Sequence, residues 1–302
     1  MTILQAQPLV TIVIPCYNHA QFVQETIQSV IDQDYKNIEL VIIDDGSKDN
    51  SVEVIQKMIP ACEERFVRFE FRYRPNKGLC ATLNEALEWC EGEFFAPVAS
   101  DDILLDFKTR VQVEEYKKIN SYKIAGVFGA VSTFKNNKKE NVRKINYYTS
   151  IYTFNDVVLR KAKLPAPSAM LVTKKIKSVN GYNSSVKIED LYLWLRLTEQ
   201  GDSLLYINKV LSLYRRHPNN ISQNDSVMLD GVMEILDRYS DFPIYNEAKS
   251  RSFLVHAGDL IQSRKLSAFK YFMIGVTGTP KLIFTKLTLT FFYRCVLGAL
   301  GK

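Results

Sequence analysis

The chain has 302 residues, 46% of them hydrophobic and 24% charged, with 13 Gly and 10 Pro; these proportions exclude collagen-like, mucin-like and wholly disordered chains. The length provides for one large domain or two, with ample core. The net charge of +6 is uneven: no acidic residue follows Asp259, yet Arg264, Lys265, Lys270, Lys281, Lys286, Arg294 and Lys302 do, so the body is nearly neutral and the C-terminal stretch is basic.

The first hundred residues alternate between two periods. Leu9 to Pro15 is a β-branched run of the kind buried on both faces of a parallel sheet. Phe22, Val23, Ile27, Val30 and Ile31 follow at helical spacing, then a second buried strand, Ile38 to Ile43, ends in Asp44-Asp45-Gly46-Ser47. Asn50 to Ile59 is a helix, Val67 to Tyr73 a strand, and Leu79 to Cys90 a helix. Phe94 to Ala99 is a fourth strand, ending in Ser100-Asp101-Asp102. Short connections between alternating strands and helices predict a doubly wound, mostly parallel α/β sheet. Further along, Asp106 to Ile119 is a helix and Ile124 to Phe134 a strand, followed by a basic turn, Lys135-Asn136-Asn137-Lys138-Lys139. Ala169 to Thr173 is a strand, Asn180-Gly181 a turn, Ile188 to Glu199 a helix and Leu204 to Tyr214 a strand. Helical period then runs through Leu236 and Leu260.

The five cysteines, Cys16, Cys62, Cys80, Cys90 and Cys295, form no CxxC pair and are odd in number. A reduced, cytoplasmic chain is expected rather than a disulfide scaffold. The opening MTILQAQPLVTIVIP has no basic n-region, so no signal peptide is expected. No apolar run reaches the roughly 20 residues of a spanning helix.

Three polar clusters follow strands: Cys16-Tyr17-Asn18, Asp44 to Ser47, and Ser100 to Asp102. Ligands of open α/β sheets bind outside the carboxyl ends of strands, so the three form one site. The adjacent carboxylates of Asp101 and Asp102 repel each other, which a divalent cation bound to phosphate relieves; a turn or helix cap is the other reading of such a pair. An acidic residue after the second strand suits base or ribose hydroxyls, and Asp-Gly also suits a plain turn. Neither GxGxxG nor GxxxxGK[ST] occurs, so the usual dinucleotide and P-loop devices are absent.

Val10 to Asn18 (VTIVIPCYN), Glu39 to Ser47 (ELVIIDDGS), Asn76-Lys77-Gly78, Ser100-Asp101-Asp102 and Glu189-Asp190 resemble, in order and spacing, the motifs of family-two glycosyltransferases with the A-type nucleotide-sugar (GT-A) fold. The motifs span about residues 9–220, and the nearest types are bacterial transferases of O-antigen, capsule or other surface polysaccharide. The resemblance implies inverting transfer from a UDP-sugar to a glycan hydroxyl, with Mn²⁺ or Mg²⁺, on a lipid-diphosphate-linked acceptor. It puts Pro15 and Tyr17 at the uracil and ribose, Asp45 on the base with Asp44 beside it, and Lys77 near the nucleotide. Asp101 faces ribose or sugar, and Asp102 ligates the metal, which Asp101 could share. Glu189-Asp190 matches the acidic pair of the acceptor side, Asp190 being the general base; a bare helix-start pair that complements the dipole is the plainer reading. Arg215 and Arg216 suit a diphosphate, in a loop that runs Arg215-Arg216-His217-Pro218-Asn219-Asn220-Ile221-Ser222, and His217 suits metal or phosphate. Trp194 stands on the acceptor side, as core or as a sugar-stacking ring.

The expected organisation is a catalytic domain over 1–220, split into a nucleotide-sugar half (1–105) and an acceptor half (106–220), then a helical basic extension over 221–302. That extension mixes its cations with Phe269, Tyr271, Phe272, Phe284, Phe291, Phe292 and Tyr293, so it is expected either on an anionic membrane surface at the inner face of the inner membrane or packed on the body or a second subunit. No nucleic-acid-binding module is present. A sugar-nucleotide nucleotidyltransferase and a non-catalytic nucleotide-sugar-binding scaffold are the other function classes; the first lacks a Gly-rich, basic first loop, and the second has no need to keep Asp102 and Asp190.

Overall fold

The computed structural model describes residues 7–119, 123–135, 138–139, 148–217, 220 and 224–299. Asn136 and Asn137 of the basic turn, Pro218, Asn219, Ile221 and Ser222 of the arginine loop, and Lys302 lie outside the described residues. The first seven elements alternate as the periodicity predicts: β1 (Val10–Cys16), α1 (Val23–Ile31), β2 (Ile38–Asp44), α2 (Ser51–Arg65), β3 (Arg68–Tyr73), α3 (Leu79–Trp89) and β4 (Phe94–Pro97). Next come β5 (Ile103–Leu104), α4 (Lys108–Ile119), β6 (Ile124–Lys135), β7 (Lys138–Lys139), β8 (Thr149–Tyr152) and α5 (Phe154–Val158). After a 3₁₀ turn at Ala166–Ser168 the chain forms β9 (Met170–Val172), α6 (Thr173–Ser178), α7 (Glu189–Glu199) and β10 (Ser203–Arg215). Helices α8 (Asp225–Asp237), α9 (Tyr245–Leu260), α10 (Lys265–Gly278) and α11 (Lys286–Ala299) complete it.

The strands join one sheet in the order β3-β2-β1-β4-β9-β6-β10-β5, with β7 on β6 and β8 on β10. Strands β3, β2, β1 and β4 run parallel. Short β9 runs antiparallel between β4 and β6, and β6 and β10 are again parallel. Every residue of β2, and all but Pro15 of β1, is buried, as helices on both faces demand. Right-handed crossovers then put the ends of β1, β2 and β4 on one edge.

The opposite edge carries a buried carboxylate that the protein satisfies by itself. Glu39 is fully buried near the start of β2 and accepts from Thr11 Oγ1 (2.5 Å), Arg68 Nη1 (3.0 Å) and the amides of Glu91 (2.8 Å) and Gly92 (3.0 Å). Four donors on one carboxylate replace the water it lost, which marks this end of the sheet as structural.

Two compact units divide the chain: residues 1–153, 164–184 and 189–217 form the sheet unit, and 154–163, 185–188 and 218–302 form a helical one. Within the helical unit Leu254, Ala257, Leu260, Ala268, Phe272 and Phe291 form a core. Gly275 lets α10 press on α9: a Cβ there would lie 2.7 Å from Leu254 Cγ and 2.8 Å from Ser250 O. No described helix is long and apolar enough to cross a membrane.

Lys108, at the start of α4, is 1% exposed, and its Nζ donates to Ala169 O at 3.3 Å. Among the described residues it forms no ion pair. Burial pushes its pKa down from 10.5 to about 7. The unfolded chain therefore holds the extra proton between those values, and stability falls as pH drops from about 10 to about 7. The variant Lys108→Met is expected to gain roughly 2–4 kcal/mol over the parent near pH 6, and progressively less toward pH 10, read from urea midpoints across the range. A difference that does not change with pH would show that the amine keeps its ordinary proton inside the fold.

Candidate active site

At the ends of β1 and β2 three loops are knitted together by short side chains. Asp44 is fully buried, and its two oxygens accept from the amide (2.8 Å) and hydroxyl (2.6 Å) of Ser47. Ser47 Oγ in turn accepts from the amide of Asn18 (2.8 Å), whose Oδ1 accepts from the amide of Lys48 (2.7 Å). Gly46 lies at φ +78°, and a Cβ would meet Asn76 N at 2.7 Å, so both the turn and the close approach of the third loop need glycine there. Asp45 bridges to that loop: it accepts from the amides of Lys77 (2.8 Å) and Gly78 (2.9 Å) and pairs with Arg74. Pro15 is half-buried beside them, while Tyr17, at 47% exposure, and Lys77 face solvent. Arg74 is a member of this cradle that the motif pattern does not flag. Its only sequence signal is a cation just past a strand of alternating period.

The loop after β4 is organised by β10. The antiparallel pairs Leu213↔Ile103 and Ser212↔Leu104 set a register that carries Arg215 alongside Asp101 and Asp102. The amide of Arg215 donates to Asp102 Oδ1 (2.9 Å), its Nε to Asp101 O (2.8 Å) and its Nη2 to Glu25 (2.5 Å). The guanidinium also lies over the rings of Phe22 (4.7 Å) and Phe134 (4.4 Å). This corrects the expectation that Arg215 reaches a diphosphate: the side chain is 7% exposed and committed within the protein. Arg216, next along, is the exposed one.

Asp101, read from the motif as facing ribose or sugar and able to share the metal with Asp102, is the aspartate that meets His217: Oδ2 lies 2.8 Å from Nε2. His19, from the loop after β1, joins them, and one ligand atom from each of the three lies within 4.8 Å of the others. The His19 ring is held by Nδ1 on Ser100 Oγ (2.7 Å) and packs edge-on to His217 (5.6 Å), while Phe22 stacks on His217 (5.2 Å). Burial, the largest cause, lowers the His19 pKa, so the imidazole stays neutral as a ligand must. Asp102 is fully buried, and Oδ2 has no hydrogen-bond partner among the described residues. Burial, then the charge of Asp101, pushes its pKa up to about 8. Two imidazoles, a carboxylate and an orphaned buried carboxylate oxygen fit a divalent cation. His19 went unflagged because its partners lie far off in sequence.

Glu189 and Asp190 open α7, where their charge faces the positive end of the helix. Asp190 Oδ1 accepts from the amide of Leu191 (2.6 Å). Burial first, and the neighbouring Asp190 second, hold Glu189 well above the usual carboxylate range. Beneath the pair, Tyr182 is buried, and its hydroxyl has no partner among the described residues. Trp194 is 3% exposed and lies edge-on to Phe128 at 4.9 Å, so it is core and is not placed to stack on a sugar.

The model of Glycosyl transferase family 2 matches residues 11–176, more than half of the chain. The chain belongs to that family. Its sheet unit has the A-type nucleotide-sugar fold, and the chain is a glycosyltransferase. It is 27% identical over 222 residues, 72% of this chain and 80% of the relative, to the Escherichia coli UDP-Glc:alpha-D-GlcNAc-diphosphoundecaprenol beta-1,3-glucosyltransferase WfaP. It is 27% identical over 218 residues, 72% of this chain and 83% of the relative, to the putative teichuronic acid biosynthesis glycosyltransferase TuaG of Bacillus subtilis. In fold it is similar to the mannosyltransferase PcManGT of Pyrobaculum calidifontis, solved with GDP-Man and Mn²⁺, at a TM-score of 0.61 and 14% identity, covering 98% of this chain and 87% of the other.

The imidazole cluster is testable without substrate. Removing one ring by His217→Ala is expected to weaken Mn²⁺ binding roughly tenfold or more, measured by electron paramagnetic resonance of the free ion. An unchanged affinity in a variant with an unchanged melting temperature would remove His217 from the ligand set.

Proposed function

We propose that this glycosyltransferase moves a sugar, with inversion, from a UDP-sugar to a hydroxyl of a lipid-diphosphate-linked glycan during bacterial surface-polysaccharide synthesis. The observation that carries the reading is the placement of the Asp45 cradle and the Asp101–His217–His19 cluster on one sheet edge. One suits a nucleoside and the other the cation that accompanies a diphosphate. The names of WfaP and TuaG support the acceptor class and the polysaccharide context. Such an acceptor places the work at the inner face of the inner membrane.

In this reading Pro15 and Tyr17 pack on the base and ribose, and Asp45, with Arg74 fixed beside it, reads the base. Lys77 and Arg216, both exposed, meet the phosphates. Asp101, His217 and His19 would hold the metal, and the neighbouring Asp102 carries the orphaned carboxylate oxygen that could join them. The imidazole donors favour Mn²⁺ over Mg²⁺, which prefers oxygen ligands. The metal, when bound, neutralises charge on the leaving diphosphate.

Asp190 is the general base. Burial first, and the charge of Asp190 second, oppose ionisation of Glu189, which makes Asp190 the better choice of base within the pair. The acceptor O–H gives its proton to Asp190 as its oxygen bonds to the anomeric carbon. The bond from that carbon to the diphosphate breaks on the far face, and its electron pair leaves on the diphosphate oxygen. One displacement gives one inversion.

Asp190→Asn is expected to lower kcat by 10²–10⁴-fold, on the order of what a lost general base costs, while UDP affinity by calorimetry stays within about twofold. Turnover within tenfold of the parent would take the base role from Asp190. The donor is to be read from UDP release across a panel of UDP-sugars with Mn²⁺ and with chelator. Silence from all of them, or release that chelator leaves intact, would count against the donor or the metal respectively.

A further inference from the structure

Helices α10 and α11 are apolar on two faces, and among the described residues one of those faces is used inside the unit. On α10, Ala268, Phe272 and Gly275 are buried against the core. On its other side, Leu266 (88% exposed), Phe269 and Met273 recur at i, i+3 and i+7, one stripe of a helix. On α11, Phe291 is buried, while Leu289, Phe292, Tyr293 and Val296 recur outward at i, i+3, i+4 and i+7. The two stripes border one seam: Phe269 meets Phe291 edge-on at 5.4 Å and Phe292 meets Phe272 at 5.3 Å. Between the helices Phe284 projects at 89% exposure. Soluble surfaces rarely leave contiguous apolar area of this kind uncovered.

The charge around the stripes says what covers them. Lys265 and Lys286 open α10 and α11, where a cation opposes the helix dipole, and neither helix has an acid in its first turn. Among the described residues, Lys265, Lys270 and Lys286 form no ion pair, in contrast to Lys281, which pairs with Glu247 at 2.7 Å. Lys265 and Lys286 thus sit unfavourably at their helix starts, and none of the three cations is offset by an acid among the described residues. A second copy laid on the same patch by a twofold axis would bring another cationic, acid-free patch against it and offer these lysines no opposite charge. An anionic surface repays all three, and long lysine stems allow the charge to sit at headgroup level above buried apolar side chains.

We infer that the outer face of α10, the 280–284 turn and α11 docks this protein on an anionic lipid bilayer. Phe284, Leu266, Phe269 and Leu289 enter the interface, and Lys265, Lys270 and Lys286 contact the headgroups. The helices lie on the bilayer and do not cross it: 14 residues each rise about 21 Å, short of the roughly 30 Å hydrocarbon core. Docking needs no turnover, so an inactive preparation still reports on it.

The test is flotation of the full chain with phosphatidylcholine vesicles and with vesicles containing about one-third phosphatidylglycerol. The parent is expected to float with the anionic vesicles at least tenfold more than with the neutral ones, and to be released as salt rises. Two variants separate the contributions: Leu266→Ser with Phe284→Ser and Leu289→Ser, and Lys265→Glu with Lys270→Glu and Lys286→Glu. Each should cut anionic-vesicle binding at least tenfold at an unchanged melting temperature, since every altered side chain is exposed. Equal binding to both vesicles, or variants that float like the parent, would overturn the proposal. So would absence of flotation together with self-association in sedimentation that the serine variant abolishes, which would give the face to a second copy.

Discussion

Two neighbouring carboxylates buried at the end of β4 impose a constraint that the surrounding structure is arranged to meet. Asp101 and Asp102 are 4% and 0% exposed, and a pair of like charges out of water is costly unless something compensates. The compensation comes from over a hundred residues away. Arg215 brings a backbone amide to Asp102, a guanidinium to the carbonyl of Asp101, and a fixed side chain that Phe22 and Phe134 clamp from their ring faces. That arrangement requires β10 to end where it does, and the two-residue strand β5 to pair with it in the observed register. The acidic loop and the last strand of the sheet are thus one device. His217 reaches Asp101 because Arg215, two residues earlier, is anchored.

The two edges of the sheet hold buried carboxylates that differ in how fully the protein satisfies them. Glu39, at the amino-terminal edge, has four donors and nothing left to offer. Asp102, at the carboxyl edge, has one donor on Oδ1 and none among the described residues on Oδ2. Burial is complete at both; the difference is satisfaction. An acid that the fold buries and then leaves half-served is poised for a cation or a proton. Burial, then the charge of Asp101, raises its pKa, in the same direction.

The elements of the sheet unit were legible because hydrophobic period is a local signal: β-branched runs for β1 and β2, alternation for β3, helical spacing for α1 and α3. The acidic clusters were legible because they sit in short motifs after those strands. What the sequence withheld is what depends on distant partners. Nothing near His19 announces that Asp101 and His217 arrive beside it, and nothing near Arg74 announces Asp45. Arg215 and Arg216 are alike in sequence, yet one is sealed against Glu25, 190 positions away, and the other faces solvent. Trp194 follows the same rule, since its fate was decided by Phe128 of β6, which meets it edge-on.

A basic C-terminus invites the idea that it serves an anionic donor, but how its charge is used within the helical unit argues for another partner. In the sheet unit Lys77 and Arg216 are exposed cations at the carboxyl edge of the strands. Arg294 is turned to Gly258 O and Asp259, and Lys281 to Glu247, so part of the C-terminal charge serves the helical unit itself. The remainder is interleaved with large exposed apolar side chains, a combination that a soluble nucleotide cannot exploit. A nucleotide binds through concentrated charge in a cradle, whereas dispersed charge over an apolar stripe gains only from a partner that is both oily and anionic over the same area.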